Sequence, residues 1–160
     1  MSDRTAQFFV VRTTGPMAWL IRRVTRSRFN HAGVCISDSL TVEAEARGAI
    51  IGDLDRYSGD AIAFSNYALT ECESDAIVRA ALGLVGTPYG WADLLWLGLL
   101  QYGFRRSRII AALVDRRDRL VCSQLVALVY LSEGIELSDD PLMPLDVTPG
   151  DLGRDIKEAP

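Results

Sequence analysis

The chain has 160 residues, 49% hydrophobic and 24% charged, with a formal net charge of −4. That length fits a single domain over residues 1–160 whose core hides roughly 70% of the unfolded surface, and the charge balance excludes a global basic field for nucleic acid. One histidine, His31, excludes histidine-rich metal sites and leaves a single imidazole for acid–base work near neutral pH.

Gln7 to Thr13, rich in Phe and Val, predicts a first strand. Gly15-Pro16 punctuates it, and Pro16 opens a short helix over Met17 to Val24. Short strands follow at His31 to Ser37, Thr41 to Glu45, Ala49 to Ile51 and Ala61 to Ser65, spaced as antiparallel hairpins are. Glu71 to Val85 then has helical apolar spacing, with Thr70 and Glu73 placed as a capping box. After the loop Gly86-Thr87-Pro88-Tyr89-Gly90, the apolar run from Trp91 to Tyr102 reads as a core helix, with a membrane-surface helix as the alternative. Arg105 to Arg119 carries six arginines and reads as a solvated face. Val121 to Glu133 is a helix stopped by Gly134, and the tail beyond Leu137 reads as irregular up to a short turn near Asp151. Strands first and helices later point to an α+β fold, an antiparallel sheet packed against helices.

Cys35, Cys72 and Cys122 are widely separated and odd in number, so a reducing compartment is the simpler reading. No signal peptide is evident, and no apolar run approaches the ~20 residues of a spanning helix. The expectation is a protein cytoplasmic as synthesised, with export by lysis, a phage particle or specialised secretion as other routes.

Cysteine hydrolases need a thiolate, an imidazole and a group that holds the imidazole. Cys122 opens a helix, where free N–H groups and the positive dipole end favour a thiolate and an oxyanion. Cys35 lies within an apolar strand and reads as a core residue. Cys72 stands between Glu71 and Glu73, which disfavour a thiolate. Strand alternation puts His31, Gly33 and Cys35 on one face, with Gly33 leaving room beside the imidazole. Glu43 and Glu45 share a face of the next strand, so spacing alone allows either to hold the ring.

Asn30-His31-Ala32-Gly33-Val34, Thr41-Val42-Glu43-Ala44, Gly86-Thr87-Pro88-Tyr89 and Val121-Cys122-Ser123-Gln124-Leu125-Val126 together resemble the papain-like NlpC superfamily. In its common members the cysteine precedes the histidine. Here the order is reversed, as in the circularly permuted branch of YiiX-type hydrolases and lecithin–retinol acyltransferase relatives. The resemblance implies a permuted papain-like fold with Cys122 as nucleophile at a helix N-terminus, His31 as base and Glu43 as the orienting residue. Glu43 is preferred to Glu45 because Val-Glu-Ala matches the pattern. Tyr89 and Ser123 become candidates for substrate or oxyanion contact, while Gln124 departs from the acidic residue some relatives carry. The implied activity is hydrolysis of an amide bond in a peptidoglycan peptide, an isopeptide or a lipid amide, through a thioester and without metal or cofactor. The alternatives are an acyltransferase or phospholipase at a lipid surface, and a non-catalytic binding module.

Overall fold

The computed structural model describes residues 4–90, 120–137 and 147–158. Five strands form one antiparallel sheet: β1 Phe8–Arg12, β2 His31–Cys35, β3 Leu40–Glu45, β4 Gly48–Asp53 and β5 Ala61–Phe64. Their spatial order is β4-β3-β2-β1-β5. Four α-helices lie among the described residues: α1 Pro16–Thr25, α2 Glu71–Gly83, α3 Cys122–Leu131 and α4 Pro149–Glu158.

The two faces of the sheet have different roles. Phe8, Val10, Ala32, Val34, Val42 and Ala44 point into the main core. There they meet Ile77 and Ala81 of α2, Leu125, Val126 and Tyr130 of α3, and Leu152 of α4. Alternation sends Phe9, Val11 and Cys35 to the other face, where they pack on Leu54 and Tyr57 of the short 3-10 turn Leu54–Tyr57. Tyr130 ties α3 to β1: its hydroxyl donates to the Ala6 carbonyl at 2.7 Å and accepts from the Phe8 N–H at 3.2 Å.

The expected strands form with shifts of a residue or two at their ends. Helix α2 begins in the predicted capping box, with the Thr70 hydroxyl and the Glu73 carboxylate exchanging hydrogen bonds with each other's N–H groups. The C-terminal tail differs from expectation. Instead of a short turn near Asp151, Pro149–Glu158 is a ten-residue helix. Thr148 and Asp151 cap it reciprocally, at 2.7 and 3.3 Å. Gly150 and Gly153 make this stretch read as loop, yet both are packing sites: a Cβ would lie 2.9 Å from Ser27 Oγ and 2.6 Å from the Phe29 ring. The expected Trp91–Tyr102 helix, the Arg105–Arg119 run and the first part of the tail lie outside the described residues. Among those described, no helix is long and apolar enough to cross a membrane.

Candidate active site

The Gly-Thr-Pro-Tyr loop sits between the sheet and the start of α3. The Ala49 N–H donates to the Thr87 carbonyl and the Gly86 N–H to the Ala49 carbonyl, both at 2.8 Å. On the other side, the Leu120 N–H reaches the Pro88 carbonyl and the Gly90 N–H the Leu120 carbonyl, both at 3.0 Å. Tyr89 and Leu120 thereby form a parallel bridge, two residues before Cys122. Gly48 permits this approach, because it takes φ +112° and a Cβ there would lie 2.6 Å from the Thr87 oxygen.

Cys122 is the first residue of α3. The preceding Val121 has no side-chain acceptor to cap the helix, so its first-turn N–H groups remain available to an anion. Gln124 supplies the reverse contact, accepting from the Val121 N–H at 3.2 Å. The position that departs from the acidic pattern thus still does the structural work a glutamate would do. The Ser123 hydroxyl is buried and donates to the Val147 carbonyl at 2.5 Å. It ties α3 to the segment before α4, leaving only its backbone N–H for oxyanion contact.

His31 opens β2, where Cys122 and Glu43 are the two groups that raise its pKa. Its Nε2 is 2.7 Å from Glu43 Oε2. A carboxylate only accepts, so Nε2 carries the proton and Nδ1 is the nitrogen left for the thiol. Burial lowers the imidazole pKa, but the hydrogen bonds and charges of Cys122 and Glu43 outweigh it, raising it from 6.5 to about 10. The imidazolium is therefore the resting form at neutral pH.

Glu43 is fully buried. Burial alone would raise its pKa, yet hydrogen bonds from His31, Thr41 and Tyr57, with the His31 charge, bring it below 4.5. Thr41 donates to Oε1 and the Tyr57 hydroxyl to Oε2. Burial and the Glu43 charge push the Tyr57 phenol above its ordinary range, so it stays a donor. Register selects between the two glutamates. Gly33 pairs with Glu43, so the carboxylate reaches the imidazole diagonally across β2 and β3. Glu45 is drawn to Arg56 at 2.6 Å.

The space at Gly33 is not beside the imidazole, as expected from spacing. A Cβ there would lie 2.8 Å from Glu43 Cγ and 2.8 Å from the Phe9 ring, so the glycine makes room for the orienting carboxylate. Gly52 does the same from β4, where a Cβ would lie 2.5 Å from Glu43 Oε1. Thr41 and Tyr57 were missed from sequence. Thr41 was findable, since it shares the Glu43 face of its strand at a spacing of two.

Next to these residues lies a cavity of 420 Å³. Pro16, Met17, Ala18 and Ile21 form an apolar wall, and Glu45, Arg56 and Tyr57 a polar one. His31 and Tyr89 also line it. Burial, then the Cys122 charge, raises the Tyr89 phenol pKa. Cys122 itself is 4% exposed. Cys35 is buried on the Phe9 face, where burial pushes its thiol up to about 12 despite Arg4. Cys72 is exposed, and none of the three forms a disulfide.

Among solved structures, the chain matches the metalloprotein YiiX from Escherichia coli O157:H7, with a TM-score of 0.63 over 87% of this chain and 71% of that one. The fold is YiiX-like. The two sequences are 16% identical, a likeness that speaks for the fold alone. No protein-family model matches the chain, and no curated protein does.

Proposed function

We propose that the protein is a permuted papain-like cysteine hydrolase of amide bonds, with Cys122 as nucleophile, His31 as acid and base and Glu43 as the residue that orients the ring. The observation that carries this reading is the single imidazole bonded to a buried, triply hydrogen-bonded carboxylate and raised in pKa by a helix-terminal thiol.

The Cys122 thiolate attacks the carbonyl carbon. A C–S bond forms, and the carbonyl electron pair moves to oxygen, held by first-turn N–H groups of α3. As the pair returns, the C–N bond breaks and the imidazolium passes its proton to the departing amine. Neutral His31 then takes a proton from water, whose oxygen attacks the thioester. Collapse expels the thiolate and releases the acid. Glu43 keeps Nε2 protonated throughout and so holds the ring in the tautomer that faces sulfur. Tyr89 and the apolar wall of α1 are placed to receive the acyl side of a substrate such as a peptidoglycan peptide, an isopeptide or a lipid amide.

Labelling with an amide-derived electrophile tests the reading. Cys122→Ala and His31→Ala should each abolish labelling and turnover. Labelling that survives Cys122→Ala but is lost in Cys35→Ala refutes it.

A second reading is a metal centre, since His31, Glu43 and Glu45 bring ligand atoms within 4.8 Å of one another, and YiiX is a metalloprotein. The donor set does not fit a resident ion. Two hydroxyl donors and the ring N–H already point at the Glu43 carboxylate, and the Arg56 guanidinium holds Glu45. The proposed chemistry therefore rests on the chain's own residues. Labelling that a chelator abolishes and a divalent ion restores would favour the metal instead.

A further inference from the structure

Helix α1 presents two different sides. Ala18 and Thr25 are buried, and Ala18 and Ile21 line the cleft beside His31. Away from the cleft Trp19 and Leu20 are 60% and 47% exposed, and Met17, at the cleft edge, is 51% exposed. A helix packed on a domain normally turns polar residues outward. The inward side already has its partners, so the outward apolar residues have a use other than the core. Leu40, Ile51, Leu82 and Val85 are also exposed but lie outside α1.

Charge says what covers this face. From Arg4 to Ser37 the chain carries six arginines and no acidic residue. The remainder holds eleven basic residues against 21 acidic ones, so the stretch that contains α1 is purely basic within an acidic protein. Arg22 turns inward to the Thr13 carbonyl at 2.6 Å and Asn30 Oδ1 at 3.0 Å. Arg12, Arg23, Arg26 and Arg28, on and beside α1 in the chain, are exposed. An exposed tryptophan with aliphatic neighbours, framed by arginines, is the chemistry of a helix lying in the headgroup region of an anionic bilayer.

We propose that the outward face of α1 seats the protein on an anionic membrane surface. Trp19 and Leu20 enter the boundary between headgroups and acyl chains, and the arginines bind lipid phosphates. Because the same helix walls the cleft, docking brings the cleft close to the bilayer. The proposal does not depend on the hydrolase chemistry, and its test separates the two.

The experiment is co-sedimentation with phosphatidylcholine vesicles prepared with and without phosphatidylglycerol. The native chain should pellet with the anionic vesicles and much less with the neutral ones. Trp19→Ser with Leu20→Ser should weaken pelleting about tenfold or more, with an unchanged circular dichroism spectrum. Arg23→Gln with Arg26→Gln should also weaken it and reduce its salt dependence. Cys122→Ala should pellet like the native chain. Turnover of a water-soluble amide probe should be unaffected by the Trp19 and Leu20 substitutions, so loss of chemistry and loss of docking are read apart. No pelleting with anionic vesicles overturns the proposal, as does equal pelleting of the native and Trp19→Ser/Leu20→Ser chains. Self-association that these two substitutions abolish, without vesicle binding, also overturns it and assigns the face to a second copy.

Discussion

Glu43→Gln isolates the electrostatics of the site with little change of shape. The new carboxamide can be satisfied in place: its oxygen accepts from His31 and Tyr57, and its NH2 faces the Thr41 hydroxyl, which can accept. The fold should survive, and what is lost is a buried, charge-assisted hydrogen bond of 2.7 Å to His31. Such bonds contribute about 1.5–3 kcal/mol. At about 1.4 kcal/mol per pH unit, His31 should titrate roughly one to two units lower in the variant. The measurement is unusually direct, because the protein has one histidine. Nitrogen-15 NMR of the imidazole reads its protonation without assignment. The native ring should stay charged through neutral pH and titrate near 10, and the variant clearly below it. A native ring that titrates near its ordinary 6.5, or a midpoint unmoved by Glu43→Gln, would refute the account of how the site is held.

Cys122→Ala should also lower the His31 midpoint in the same experiment, because Cys122 raises it alongside Glu43. The folded pKa of His31 lies above its unfolded value of 6.5, so its share of stability is complete below 6.5 and fades as pH rises towards 10. Glu43 behaves oppositely, with its share complete above 4.5 and lost on acidification. Urea unfolding across pH should therefore show Glu43→Gln costing most between 4.5 and 6.5, and a cost that peaks above pH 10 would contradict this. Gly52→Ala drives a Cβ to within 2.5 Å of Glu43 Oε1 and should cost about 1–3 kcal/mol in urea unfolding while reducing turnover. Native-like stability and rate in that variant would mean that the carboxylate is not seated as described. In a Cys72→Ser background, alkylation at neutral pH should modify Cys122 alone, because burial holds the Cys35 thiol near 12; mass spectrometry of the peptides reads the site.

Several features of the protein were legible from residue order alone. A Phe- and Val-rich run defines β1, alternating apolar residues define β2 and β3, Thr70 and Glu73 define the start of α2, and Cys122 falls where a charged stretch of sequence gives way to an apolar helix. These are local properties, set by periodicity and by the end groups of helices, so a short window of sequence contains them. The same windows put His31 on one strand face and Glu43 with Glu45 on another.

What the sequence left open was settled by groups distant along the chain. Glu43 rather than Glu45 holds the imidazole because register sets it diagonal to His31, Tyr57 and Thr41 donate to it, Gly33 and Gly52 make room for it, and Arg56 captures its rival. Helix α4 forms through two glycines because Ser27 and Phe29 need the space a side chain would fill. The sequence alone determined which residues could do chemistry, since charge, nucleophilicity and helix ends are local. Only the tertiary structure decided which of them meet, because desolvation and hydrogen-bond partners arise where segments far apart in the chain pack together.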